Sequence, residues 1–563
     1  MFSSFFLLTC LSSIFLVARE SMASVPLPIP IDPTLSGSYT MPPNLTIDMP
    51  IDHFDHGDTR TYKNRYWIND VYYQEGGPIF FQDIGEGTVD QQAIIGTLGE
   101  NGTLMAPLRL AEQFNGMAVL WEHRFYGESL PFPLDKETGL AAAGYDAYKY
   151  LNNEQALEDV VYFANNFQPP GYEGTTHLLP TEAPWIWIGG SYSGARGAMI
   201  RLRNPEVFYA IWASSAPVEA QVDMSVYYNP IQQSMPTNCS ADVHAAIAYV
   251  DKIFLRGTVE EVETVKRAIF LASVGDAYSD ISNIDPADAG EFDYYSMAQN
   301  LSYAFISTRR AFQYYNYAGS LGQFCDDLES WNPENTTQFD IHTKGTEWLK
   351  NTADRRFTNG GIAATLGAKQ AFYAFLSATF SQRLGDLQVE PSRTSPGDNM
   401  SWNWQFCSEF GYFQDANASD PTSLISRFGN VTAFARHQCK DVFEYAPDLP
   451  AVDAILKYGG YSMTPSNTMF TNGENDPWRT LGVQADKKIN PSAIIRDSTT
   501  DIPACNTSPE GKKVFGQVYP GQVHTADLSE LSAEGASGDA TPSDSGFDLF
   551  STALGQWLEC FGR

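Results

Sequence analysis

Basic residues are scarce in this chain. Lys and Arg number 35 against 67 Asp and Glu, which gives a net charge of -32 at pH 7. A surface of that sign repels phosphate backbones and acidic bilayers, so nucleic acid is excluded as a partner. Cysteine is also sparse, at seven in 563 residues, and none stands in a Cys-x-x-Cys pair. That removes the common zinc spacing, and no metal or other cofactor is expected. After the N-terminal segment no stretch is long and apolar enough to span a bilayer, and Leu558-Glu559-Cys560-Phe561-Gly562-Arg563 does not read as a GPI-type tail. Stable membrane insertion is therefore not expected. Internal repeats are absent too, which sets solenoid architectures aside.

The N-terminal apolar run, Met1 to Ala18, is too short for a membrane span and fits a secretory signal, although its first residues carry no Lys or Arg. Ser21-Met22-Ala23 fits the small-x-small cleavage rule, with Ala18 as the competing site, so residues 1–23 read as the signal. Its removal takes Cys10 and leaves Cys239, Cys325, Cys407, Cys439, Cys505 and Cys560. An even set in a secreted chain implies up to three disulfides, with the pairing left open. Asn-x-Ser/Thr sequons stand at Asn44, Asn101, Asn238, Asn300, Asn335, Asn399, Asn417, Asn430 and Asn506, as in glycosylated secretory proteins. A secreted or a vacuolar-lysosomal location follows as the expectation. A sequence pI near 4.5 is compatible with acidic surroundings.

What is present in quantity is aromatic and β-type sequence that stops at small residues. Trp185-Ile186-Trp187-Ile188-Gly189-Gly190-Ser191-Tyr192-Ser193-Gly194 reads as strand, sharp turn and helix, which is a nucleophile elbow with Ser191 at its apex. Serine stands at 193 where glycine is usual, and a small side chain is needed there because helix and strand nearly touch. A serine hydroxyl becomes nucleophilic only beside a base. In the chain order Ser, acid, His, only His524 among the eight histidines lies late enough to be that base, on a loop after the strand-like Lys513–Tyr519. The acid should end a strand between the two. Asn467–Gly473 reads as that strand, and Pro477 biases Asp476 toward an extended backbone, so Asp476 is chosen over Glu474. The expected oxyanion donors are the N–H of Tyr192 and the loop Gly85-Glu86-Gly87, of which Gly85 and Glu86 are the candidates.

These segments together resemble the serine peptidases that include lysosomal Pro-X carboxypeptidase, dipeptidyl peptidase II and the fungal prolyl endoproteases. The resemblance extends through Gly77–Phe81 with Gly85–Gly87, through Glu122-His123-Arg124-Phe125-Tyr126-Gly127-Glu128-Ser129, and through Tyr150-Leu151 with Glu154–Leu157. It continues through Ala213–Val218, Trp402–Gly411 and Asn472-Gly473 with Asp476-Pro477-Trp478. It implies an α/β-hydrolase fold, Ser191, Asp476 and His524 as the triad, peptide or protein substrates cut next to proline, and Trp478 as a wall of the proline pocket. The family contains dimers, which leaves a homodimer open. Flat apolar rings suit a proline ring, so Trp402, Trp404 and Phe406 join Trp478 as pocket candidates. Glu86 is either an anchor for a free substrate amine or a solvent-facing loop carboxylate. Two departures stand out: Ala195-Arg196 where the family often has bulky apolar residues, and Val523 and Thr525 beside the histidine.

The expected organisation is an extended arm at 24–50, an α/β-hydrolase core at 51–218 and 441–563, and a large inserted, mainly helical cap at 219–440. Helical periodicity marks Ala245–Leu255 and Val259–Leu271 within that cap. Residues 529–546 read as a flexible loop, and Phe547, Phe550, Leu554, Trp557, Leu558 and Phe561 as one face of a final helix. Two competing readings remain: an esterase or lipase on the same fold, and a non-catalytic binding protein on a hydrolase scaffold.

Overall fold

The computed structural model describes residues 42–98, 106–274, 290, 292–306, 312, 321–331, 361–380, 395–417, 419–420, 422–528 and 542–562. The signal segment, the arm up to residue 41, the sequons Asn101 and Asn335, and the loop 529–541 lie outside them.

Eleven strands are described: β1 (Leu45–Pro50), β2 (Thr61–Asn69), β3 (Ile79–Asp83), β4 (Met117–Trp121), β5 (Trp185–Gly190), β6 (Phe208–Ser214), β7 (Gln221–Asp223), β8 (Gly411–Phe413), β9 (Thr468–Gly473), β10 (Asp497–Thr499) and β11 (Lys513–Tyr519). Nine form one sheet in the order β1-β2-β4-β3-β5-β6-β9-β11-β10. β1 pairs antiparallel with β2, and β2 with β4; from β4 onward every pairing is parallel. This is the expected α/β-hydrolase core. Its central strands are near-continuous apolar runs, such as Met117–Trp121 and Phe208–Ser214, and every residue of β3, β4 and β6 is buried. Strands covered on both faces need such runs. The core does not begin at residue 51: Leu45–Pro50, assigned to the arm, pairs residue by residue with β2 as the edge strand.

The final helix, Pro542–Leu558, buries Phe550, Leu554 and Trp557 against Trp212, Met469 and Phe515, with Phe547, Leu558 and Phe561 partly buried beside them. Residues 542–546, expected in a loop, form its first turns. Cys505–Cys560 ties this end of the chain to the loop before β11, and Cys407–Cys439 closes a second loop.

The chain divides into two compact units. The larger holds the nine-stranded sheet together with residues 392–412 and 438–563. The smaller is built from residues 223–391 and 413–437 and is mainly helical. In it Thr237–Arg256 packs along Ala368–Phe380, and Cys239–Cys325 joins Thr237–Arg256 to Gly322–Glu329. Val259–Val274 is a further helix of this unit. Within the stretch expected to be a single insertion, residues 392–412 therefore belong to the larger unit. Hydrogen bonds explain this: Asp398 accepts from Gly127 N and Thr88 Oγ1, and Ser401 Oγ donates to Phe125 O.

Candidate active site

The elbow is a backbone event. β5 runs between β3 and β6, and the chain turns through Ser191 into the helix Ser191–Arg203. Ser191 holds φ at +56°, a left-handed conformation that side chains other than glycine adopt only when the surroundings enforce it. The turn is tight. A Cβ on Gly189 would sit 2.8 Å from the Ser193 backbone, and one on Gly194 would sit 2.9 Å from the Gly189 carbonyl oxygen. Small residues at these positions are thus a geometric requirement, and Ser193 fits it. Tyr192 is the second residue of the helix, where a backbone N–H has no intrahelical acceptor.

Two loops from the far half of the sheet are sewn together next to this turn. Glu474 N donates to Tyr519 O at 2.9 Å and Asn475 N to Gln522 O at 2.8 Å. A Cβ on Gly473 would overlap the Gln522 and Val523 carbonyls, which accounts for glycine there. Across this seam His524 Nδ1 lies 2.9 Å from both carboxylate oxygens of Asp476. Both residues are buried, and Trp478 N adds a third bond to Asp476 at 2.9 Å. Glu474, the local competitor, faces outward and accepts from Gly521 N. The residues after the imidazole reach the elbow: a Cβ on Gly190 would meet Thr525 Cγ2 at 2.8 Å, and Thr525 N donates to Ser215 Oγ at 2.9 Å.

Asp527, three residues beyond His524, fixes this loop from beneath. Its carboxylate accepts from Ser214 Oγ at 2.5 Å and from Trp212 Nε1 at 3.1 Å, both on β6, and from Tyr519 OH at 3.5 Å, on β11. Burial pushes the Asp527 carboxyl up, and the Ser214, Thr471 and Trp212 donors pull against that. The serines of Ala213–Val218 thus serve as anchors for the histidine loop.

A second hydrogen-bond chain runs behind the nucleophile. His123 Nδ1 is 2.7 Å from the Arg124 carbonyl oxygen, which only accepts, so Nδ1 carries the proton. Nε2 then accepts from Tyr192 OH at 3.2 Å. Burial and the nearby Arg196 hold the imidazole well below its usual range, consistent with that neutral tautomer. Gln405 Nε2 donates to Tyr192 OH at 2.8 Å, and its Oε1 accepts from Tyr126 OH at 2.5 Å. The motif around residue 123 and the return segment around 405 meet on one tyrosine, next to Ser191 in sequence.

The other candidates separate. Trp478 is buried with its ring 6.3 Å from that of His524 and 5.4 Å from Tyr412. Trp402 lies 5.5 Å from Tyr192 and 6.5 Å from Tyr412, in the same aromatic group. Trp404 does not join it. Its ring packs 5.5 Å from each of Tyr148, Phe443 and Tyr445, and Nε1 donates to Leu151 O. Both tryptophans lie on the helix Pro396–Gln405, where two residues' advance turns a side chain about 200°. Glu86 is only 2% exposed, which removes the solvent-facing reading. Of the two loop donors, Gly85 N–H is committed to Asp83 Oδ1 at 3.1 Å, so Gly85 is corrected out of the oxyanion set and Glu86 N–H remains. Among the sequons, Asn300 and Asn399 are at most 9% exposed and lie within helices, where a glycan has no room. Asn44, Asn417 and Asn506 are exposed; Asn238 and Asn430 are half-buried. Among the described residues no helix is long and apolar enough to cross a membrane.

Comparison with known proteins bears on the same residues. The family model described as serine carboxypeptidase S28 matches residues 49–284 and 312–502, a range that includes Ser191 and Asp476 and ends before His524. Serine protease vicPb of Bipolaris victoriae (strain FI3) is 28% identical over 457 residues, 77% of each chain. The thymus-specific serine protease of Mus musculus is 26% identical over 482 residues, 82% of each chain. The lysosomal Pro-X carboxypeptidase of Mus musculus is 26% identical over 474 residues, 81% of this chain and 82% of that one. With most of its length matched by one family model, this chain belongs to the serine carboxypeptidase S28 family and is a serine-type peptidase.

Proposed function

We propose that this peptidase is secreted or held in a vacuolar or lysosomal lumen, and that it cleaves peptide bonds next to proline or small residues through an acyl-enzyme on Ser191. The observation that carries the reading is the contact of His524 Nδ1 with both Asp476 oxygens, on loops that abut the left-handed turn at Ser191. With the Nδ1 proton held by Asp476, Nε2 is the basic nitrogen. Ser191 Oγ attacks the substrate carbonyl, and its proton passes to Nε2. The oxyanion is met by the N–H groups of Tyr192 and Glu86, each supplying about 3–4 kcal/mol of barrier lowering. The imidazolium then protonates the leaving amine, and water activated by the same base clears the acyl group.

Trp478, Trp402 and Tyr412 supply the flat apolar walls that suit a proline ring. A proline has fixed φ and little side-chain freedom to lose on binding. Glu86, buried on the oxyanion loop, is the carboxylate we assign to a free substrate amine. Secretion is supported by the three disulfides, which persist in oxidising compartments.

The test is direct. Ser191→Ala should lower kcat by about a million-fold with the fold kept, and a fluorophosphonate should label the parent and not the variant. Products from a proline-containing peptide, with ends free or blocked and at pH 4 to 7, should be read by mass spectrometry. Cleavage beside proline is expected. Preference for a short acyl ester over the peptide would install the esterase reading, and absence of labelling would install the binding-protein one.

A further inference from the structure

Arg196 carries a charge and is wholly buried. It lies on the elbow helix, five residues after Ser191. Its Nη1 bonds to Asp83 Oδ2, and its Nη2 donates to Ala156 O at 2.6 Å. The guanidinium is flanked by the rings of Trp187, at 5.5 Å, and Tyr192, at 5.7 Å. Asp83 is the last residue of β3, and its other oxygen, Oδ1, accepts from Gly85 N at 3.1 Å. Gly85 holds φ at +81°, a conformation that suits glycine. A continuous linkage therefore runs from the helix that carries the nucleophile, through one buried ion pair, into the loop that presents Glu86 N–H.

Burying two charges costs more than burying two apolar side chains of the same size, so packing alone does not account for the pair. An ion pair supplies direction: an apolar side chain at 196 would fill the space but would not orient the Asp83 carboxylate toward Gly85 N–H. We infer that Arg196 and Asp83 are positioning residues that hold the second oxyanion donor in register with the first, Tyr192 N–H. The inference rests on the acyl-enzyme reading above.

Three variants test it: Asp83→Asn, Arg196→Met and the uncharged double variant Asp83→Asn/Arg196→Met, which leaves no unpaired buried charge if a single variant folds poorly. Activity is counted per Ser191 titratable with a fluorophosphonate, so unfolded protein does not enter. The expected result is a fall in kcat of about 100-fold in each, with KM within about twofold of the parent, since misplacing one donor by about 1 Å costs that much. Affinity for a peptidyl boronate, whose adduct is tetrahedral, should fall in the same proportion, and Arg196→Lys should recover part of the loss. Unchanged kcat per titrated serine, whatever the melting temperature, overturns the inference. So does a change confined to KM. Failure of the acyl-enzyme reading shows separately, as a parent protein that takes no label.

Discussion

Three buried acids of the larger unit and two of the smaller keep opposite company. In the larger unit Asp159 receives a two-pronged bond from Arg124 at 2.6 and 2.7 Å and a third from His53. Glu122 is gripped by Arg65, Ser129 and Val89 N, and Asp83 by Arg196. In the smaller unit two acids face acids. Glu329 lies against Asp242, which already accepts from Ile362 N at 2.6 Å and Ala363 N at 2.7 Å, with Asn238 as its neutral neighbour. Asp415 lies against Asp223 while accepting from Met224 N. The first three acids meet cations, whereas burial and a neighbouring carboxylate both favour the protonated form of Glu329 and Asp415.

The pH consequences have opposite signs. Burial pushes the Asp159 carboxyl up, but Arg124 and His53 pull it down to about 2. Its stabilisation is present above the unfolded carboxylate range and is lost as pH falls through about 2. Glu329 is raised to about 7 by burial and by Asp242, and Asp415 to about 8 by burial and by Asp223. Their stabilisation is complete below the unfolded range and is lost as pH rises through about 7 and 8. Asp159, Glu329 and Asp415 are in their stabilising protonation states together only in mildly acidic solution.

The largest expected effect lies where charge is matched and chemistry depends on it. Asp476→Asn should lower kcat by about ten-thousand-fold, because an amide does not stabilise the imidazolium and permits the wrong tautomer. Steady-state kinetics beside an unchanged unfolding curve would show it. Next comes Arg124→Met, which strands the Asp159 carboxylate in the interior. Urea unfolding at pH 6 should show a loss of about 3–5 kcal/mol. A loss below about 1 kcal/mol would remove the contrast between the units.

The same contrast marks what the sequence made legible. The elbow and the preference for Asp476 over Glu474 depend on neighbours in the chain, a strand running into glycines and a proline fixing the preceding backbone, and such signals are visible locally. Trp402 and Trp404 face apart because one helix carries both, and the sequence pattern does not mark that helix. The Gly85 N–H is captured by a side chain two residues back, a competition that motif spacing does not display. Arg196 with Asp83 and Asp527 with Ser214 pair across more than a hundred residues and leave no periodic trace. Disulfide pairing is a tertiary fact of the same kind. Gln405 and His123 stand in two separate motifs, and their common partner, Tyr192 OH, is a fact of three dimensions.

The raised carboxyl of Glu329 is tested by removing its ionisation. Glu329→Gln keeps the shape and donates to Asp242 at every pH, so the helices Thr237–Arg256 and Gly322–Glu329 should lose their alkaline sensitivity. Hydrogen exchange read by mass spectrometry should show about 2 kcal/mol more protection than the parent at pH 8, and no difference at pH 5. Greater protection at both values would mean that the glutamate is merely a poor fit.

Asp223→Asn is the smallest effect and the finest probe. Asp223 is exposed while Asp415 is buried, so water already screens much of the repulsion that raises Asp415. Removing the exposed charge should move the alkaline limb of the unfolding curve upward in pH by less than one unit and add under about 1 kcal/mol at pH 8. Asp415→Asn, in contrast, should abolish that limb's dependence on this pair, because the buried member holds the proton. If the two variants shift the curve equally, the proton is not localised on Asp415. The smaller unit's acid preference would then belong to Glu329 and Asp242 alone.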